Sequence, residues 1–301
     1  MVLEALENPE TIKKSFILIL ISAFVVCSVS IFVAYNFSPE SSGILSIAFI
    51  TIAMMPFVHS LFVKEEEKEL KKPGMAPAFL LRHSSLLKFY SWFFIGLVMS
   101  YSFWFVVLPE DISDECKTGF NTLDCRIPAK ELVFRDQLKQ FSAITGQVSK
   151  PQGGVAWDEC KNPETRNFDD CTGFIFNNNS FVLGLAVLFS FAYGAGALML
   201  IGWQASVVGV FIGKEILDNS VMYGVALAFG YLPHGIFEIP AYFMGAIAGG
   251  IISVAISRRK YRSHEFEIIA KDVLAIMLIA YILLFIGAAV ESWLILQYAY
   301  V

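Results

Sequence analysis

The sequence predicts an all-α fold: a polytopic transmembrane helical bundle of about seven crossings, one of them broken or re-entrant, with a small disulfide-stapled extracytoplasmic domain. Three observations carry this expectation. Apolar residues make up 56% of the 301 residues and charged residues only 16%, a balance too oily for a soluble domain. Apolar runs of roughly 20 residues, the length a helix needs to cross a hydrocarbon core about 30 Å thick, recur along the chain. Four of the five cysteines fall in one long hydrophilic stretch. The net charge of -5 is modest and no basic stripe is present, which argues against nucleic-acid binding.

In order, clear spans cover about 15–37, 43–63, 88–108, 180–202, 236–256 and 270–295. The first follows Lys13 and Lys14 but is longer than a signal-peptide core and lacks a clean cleavage site, so it reads as a retained helix. Lys13 and Lys14, the charged loop 64–88, and Arg258, Arg259, Lys260 and Arg262 all belong on the cytoplasmic side. The expected protein is therefore a multi-pass protein of the cell membrane with a cytoplasmic N-terminus and residues 109–179 outside. Three regions follow: N-terminal helices in 1–108, the outer domain in 109–179, and a C-terminal bundle in 180–301. Trp92, Trp104, Trp203 and Trp293 fall near span ends, where amphipathic rings anchor at the membrane interface.

The outer stretch holds Cys116, Cys125, Cys160 and Cys171. An even set in an extracytoplasmic loop, without a tight C-x-x-C pair, reads as two disulfides, with three pairings open. Asn178-Asn179-Ser180 is a glycosylation sequon that makes Asn178 a candidate acceptor on the same side.

Residues 203–235 are irregular: two short apolar pieces flank a polar stretch that includes Lys214, Glu215 and Asp218. The basic cluster after 256 requires an odd number of crossings here, which a broken helix of two half-spans satisfies, with a second break at Pro233 and Gly235. Lys214 and Asp218 are spaced for an ion pair on a helix.

The chemistry concentrates in Pro233-His234-Gly235-Ile236-Phe237-Glu238-Ile239-Pro240. His234 and Glu238, four apart, share a helix face, and ionisable groups at membrane depth tend to mark sites. The pair suits either a structural role, satisfying backbone groups freed by the prolines, or a proton- or ligand-binding one. A metal site requires a third ligand such as His59, Asp218 or Glu291, and with no such motif by spacing neither metal nor other cofactor is expected. Gly245, Gly249 and Gly250 give the same helix a small face for close packing, inside the bundle or, as an alternative, in a homodimer. No nucleophile elbow, phosphate loop or Ser-His-Asp set occurs.

The stretch from Gly202 through Gly213, followed by Pro233 through Ala241 with its His-Gly-x-Phe-Glu-x-Pro-Ala core, resembles the stage II sporulation protein M family of integral membrane proteins over roughly residues 180–295. The resemblance implies a multi-spanning membrane protein. In spore formers the family belongs to an envelope complex that remodels peptidoglycan and organises enzymatic partners. The outer domain around 109–179 departs from that pattern.

The leading expectation is non-enzymatic: a membrane scaffold or assembly factor of a cell-envelope complex, partnered by the lipid bilayer and by membrane or envelope proteins. A transporter or channel using the broken helix and the His234/Glu238 pair is the alternative. An intramembrane metal-dependent hydrolase is the third.

Overall fold

The computed structural model describes residues 16–71, 83–110, 128–145, 160, 167–193, 196–259 and 263–298. Its helices are α1 (Phe16–Phe37), α2 (Ser42–Lys71, entered through a turn of 3-10 helix at Pro39–Ser41), α3 (Ser84–Val107), the short α4 (Lys130–Val133) and α5 (Arg135–Thr145), α6 (Phe168–Tyr193), α7 (Ala197–Asp218), α8 (Val221–Ser257) and α9 (His264–Tyr298). Seven of them, all but α4 and α5, are long and apolar enough to cross a membrane. No strand occurs among the described residues. The all-helical bundle of about seven crossings is what the composition demanded.

The crossings are drawn differently from the expectation at one place. Residues 180–202 are not one span. The chain reverses between Tyr193 and Ala197, so the second half of α6 and the start of α7 lie on either side of a turn. Gly196 permits the reversal: a Cβ there would lie 2.2 Å from the Phe189 carbonyl oxygen. The turn is flanked by apolar residues, so hydropathy runs through it unbroken. The N-terminal half of α6 carries Asn177, Asn178 and Asn179, which hid it. The crossing required between 203 and 235 is therefore the intact α7, not two half-spans. The second break is absent too, because α8 continues through Pro233 and Pro240 to a length of 37 residues.

Small residues set the interhelical approaches. An added Cβ would meet the Leu20 carbonyl oxygen of α1 at 2.7 Å from Gly96 of α3, and the Val98 carbonyl oxygen of α3 at 2.7 Å from Gly209 of α7. Without a hydrophobic drive between helices in lipid, such close contact and interhelical hydrogen bonds hold the bundle. Trp104 of α3 donates from Nε1 to Ser28 Oγ of α1 at 2.8 Å, and Ser46 of α2 and Tyr101 of α3 share a 3.0 Å hydrogen bond between their hydroxyls. Aromatic rings fill the centre: Phe89 and Phe93 of α3 stack at 5.5 Å, and Tyr90 stacks on Phe243 of α8 at 5.5 Å.

The described part of the segment between α3 and α6, residues 128–145, docks on the bundle. Lys130 N–H bonds the Pro109 carbonyl at 2.9 Å, and its buried ammonium lies 5.5 Å from the Phe105 ring centroid. Phe134, fully buried, packs on Tyr101 and Phe105. Gln137, also buried, donates from Nε2 to Ser206 Oγ of α7 at 3.2 Å. Cys160 and Cys171 are bonded, which ties the same segment to the first turn of α6. Cys116 and Cys125 lie outside the described residues.

Candidate functional site

Three helices meet at Glu238. It projects from α8, whose span Leu232–Ser257 contains the most enclosed 18-residue stretch of the seven, with 72% of that stretch buried. Pro233 and Pro240 each remove one N–H, leaving the carbonyls of Phe229 and Ile236 without their usual intrahelical donors, yet the helix persists through both into the stretch from Ala241 to Ile251, which neighbouring helices enclose. His234 is buried at 9% exposure and Glu238 is half-buried one turn along, on the same side of the helix.

From α6, Asn179 donates from Nδ2 to Glu238 Oε1 at 2.6 Å. Asn179 is buried, and its Oδ1 accepts from Asn178 Nδ2 at 3.3 Å. From α9, Gly287 crosses directly over the site: a Cβ there would sit 2.8 Å from Glu238 Cγ and 3.5 Å from the His234 carbonyl oxygen. One helical turn further along α9, Glu291 lies within electrostatic reach of both Glu238 and Tyr242. The site thus holds an amide, an imidazole, two carboxyl groups and a phenol on three helices. Phe176 of α6 packs edge-on against Phe285 of α9 at 5.8 Å and closes the third side of the triangle.

Such an arrangement can hold helices in register. A hydrogen bond from an amide to a carboxyl oxygen in an apolar bundle replaces water that neither group can reach. Of the three extra metal ligands considered, only Glu291 comes near. His59 faces outward from α2, and Asp218 is ion-paired with Lys214. Among the described residues no three His, Cys, Asp or Glu side chains are grouped to hold one metal ion.

The remaining sequence candidates occupy other places. Lys214 and Asp218 pair on the last turns of α7, beside Gly224, where α8 begins. That is about 20 Å along α8 from Glu238 at 1.5 Å per residue. Gly245 and Gly249 face α6, where an added Cβ would meet Leu183 Cδ1 at 2.5 Å and the Val187 carbonyl oxygen at 2.4 Å. Gly250 faces the Phe62 ring of α2 at 2.4 Å. Asn178 lies on the exposed side of α6, eleven positions into a helix long enough to span the membrane. Sequence reasoning missed Asn179 and Gly287 as members of the site and named Glu291 only as a possible third metal ligand. The run of three asparagines inside an apolar helix was the available signal.

Comparison with known proteins agrees with this core. A family model described as stage II sporulation protein M matches residues 85–294, from the start of α3 to the end of the site on α9. The similarity therefore takes in the docked segment as well as the C-terminal helices. An uncharacterized protein of Methanocaldococcus jannaschii is 30% identical over 123 residues, which is 40% of this chain and 68% of that protein. No solved structure matches the chain. With its apolar helices joined through Asn179, Glu238 and Gly287, and the family match covering well over half its length, the chain belongs to the stage II sporulation protein M family of membrane proteins.

Proposed function

We propose that the protein is a membrane scaffold or assembly factor of a cell-envelope complex, presenting the segment between α3 and α6 to protein partners on the outer side. The observation that carries this reading is the attachment of that segment at two points. Phe134 and Gln137 seat it against α3 and α7, and the Cys160–Cys171 bond fixes it to α6. The contacts of Phe134 and Gln137 keep α4 and α5 in a defined orientation, which a presenting surface requires.

Orientation follows from charge. α2 ends, α3 begins, α8 ends and α9 begins at one end of the bundle, where Phe62 meets Gly250. The basic residues flanking those helices favour a cytoplasmic side for that end and for the N-terminus, which supports an outer position for the docked segment. The site supports the same reading, since Asn179 and Glu238 bond each other across α6 and α8. The apolar cavity nearby, between Phe94, Ile201, Tyr242 and Phe243, has a volume of about 10 Å³, room for roughly one water.

The test is site-specific photocrosslinking in intact cells from Glu131 and Lys139, both exposed on the docked segment. Adducts to one and the same envelope protein are expected from both positions and not from Leu274, on the outward surface of α9. Solute or proton flux in proteoliposomes that is lost on Glu238→Gln would replace the scaffold reading with transport.

A further inference from the structure

The six glycines of α8 fall into two groups. Gly224, Gly245, Gly249 and Gly250 each face atoms that leave no space for a side chain, with a first contact between 2.4 and 2.5 Å from an added Cβ. Gly230 and Gly235 do not. Nothing lies within 4 Å of a Cβ at Gly230, and at Gly235 the nearest atom is Ile239 Cδ1, at 3.7 Å. Close packing therefore does not explain these two. They bracket Pro233, so three of the poorest helix-forming residues occur within six positions of one helix.

The parts of α8 on either side of that stretch are held by different neighbours. Before it, Met222 and Phe229 are exposed by 80% and 65%, and the close contact is Gly224 on Ile212 and Ile216 of α7. After it, every residue from Ala241 to Ile251 is buried, against α6, the Phe62 ring of α2, and Tyr90 and Phe94 of α3. The Asn179–Glu238 hydrogen bond lies one turn past Gly235 and fixes the start of the buried part to α6.

We propose that α8 is jointed at Gly230–Gly235, with its first turns, Val221–Phe229, moving as an arm against the fixed stretch from Glu238 onward. Helix bends concentrate at proline and glycine, where the ladder has already lost a bond and no side chain resists the change. The Asn179–Glu238 bond is the fulcrum, because it prevents the bend from spreading inward. The arm turns back from α7, and α7 carries the Ser206 that holds Gln137 of the docked segment. A load on that segment thus reaches the joint through one helix. The joint is independent of the scaffold reading and stands if that reading fails.

Pulsed electron-electron resonance on the full chain in lipid nanodiscs tests it. Spin labels carried by noncanonical residues at Met222 and Gln297 report the arm against α9, and labels at Phe191 and Ile256 report the fixed part against α6. Two distance populations are expected for the first pair and one for the second. The second population should be lost in the Gly230→Ala, Pro233→Ala, Gly235→Ala combination, which strengthens the helix without introducing a clash. A single population for the first pair in the unaltered chain overturns the joint. So do two populations for the second pair, or two that persist in the combination.

Discussion

Asn179 Nδ2 of α6 donates to Glu238 Oε1 of α8 across 2.6 Å. Removing the amide in Asn179→Leu leaves the carboxyl without this donor at a site where water does not replace it, and roughly 1–3 kcal/mol of stability should be lost. Asn179→Leu combined with Glu238→Leu should cost less than the two separate losses. The coupling should be about 1 kcal/mol, in the range of interhelical hydrogen bonds in membranes. Unfolding in mixed micelles measures all four species, and a coupling near zero would mean that the bond holds nothing.

The partner of Glu238 shows what the sequence made legible and what it did not. Glu238 was visible because a carboxyl group in an apolar run is unusual, and His234 because it shares the helix face. Neither signal reaches across helices. Asn179 lies 59 positions away in a tripeptide that also spells a sequon, and only packing of α6 on α8 gives it its role. Glu291 was named only as a possible third metal ligand, and its neighbourhood likewise follows from packing, here of α9 on α8. Helix number and the small-residue face of α8 follow from composition and spacing. The reversal between α6 and α7 does not, since a turn flanked by apolar helix on both sides leaves no dip in hydropathy. Pro233 and Gly235 were read as a break, and the helix is continuous because buried neighbours on its far side outweigh local propensity.

Two glycines on α8 should respond to alanine with opposite signs. At Gly249 the new Cβ would lie 2.4 Å from the Val187 carbonyl oxygen and 2.8 Å from Ser190 Cβ, so α6 and α8 must separate. Overpacking of this kind costs about 1–3 kcal/mol. At Gly235 the Cβ has room, and alanine should stabilise by up to about 1 kcal/mol through helix propensity and a less flexible unfolded chain. Thermal melting of the two variants in the same detergent distinguishes them. Equal losses would show that Gly235 is also a packing residue.

Gln137 carries the docking of α5 with only half of its polar capacity used. Its Nε2 bonds Ser206, while its buried Oε1 has no hydrogen-bond partner. Gln137→Leu removes both the bond and the unmatched oxygen, so the two effects offset and the net change should stay within about 1 kcal/mol. Gln137→Glu is nearly isosteric but places a charge in the same buried position and removes the donor. Detachment of α4 and α5 is expected, at a cost of roughly 3 kcal/mol or more. Hydrogen exchange over residues 130–140 reads the outcome: protection kept in the leucine variant and lost in the glutamate variant. Protection retained in both would place the anchor at Phe134 instead.

Cys27 and Cys171 predict a contrast in thiol chemistry. Cys27 is a fully buried free thiol of α1 that hydrogen-bonds with Ser100 and Tyr101, so maleimide should leave its peptide unmodified until the bundle unfolds. Cys171 is bonded to Cys160 across 11 positions of sequence and is as buried as Cys27, so after reduction it should react as the segment in front of α6 loosens, with the helices still folded. Closing a loop of that size stabilises by at most about 3 kcal/mol, and here it constrains the segment in front of α6 more than α6 itself. Cys171→Ser should therefore raise hydrogen exchange just before Phe168 while exchange around Asn179 stays unchanged. Peptide-level mass spectrometry of maleimide adducts, with and without reductant, checks both residues. Labelling of Cys27 in the folded, unreduced protein would show that α1 and α3 separate, and that the polar contacts around Ser100 do not hold them together.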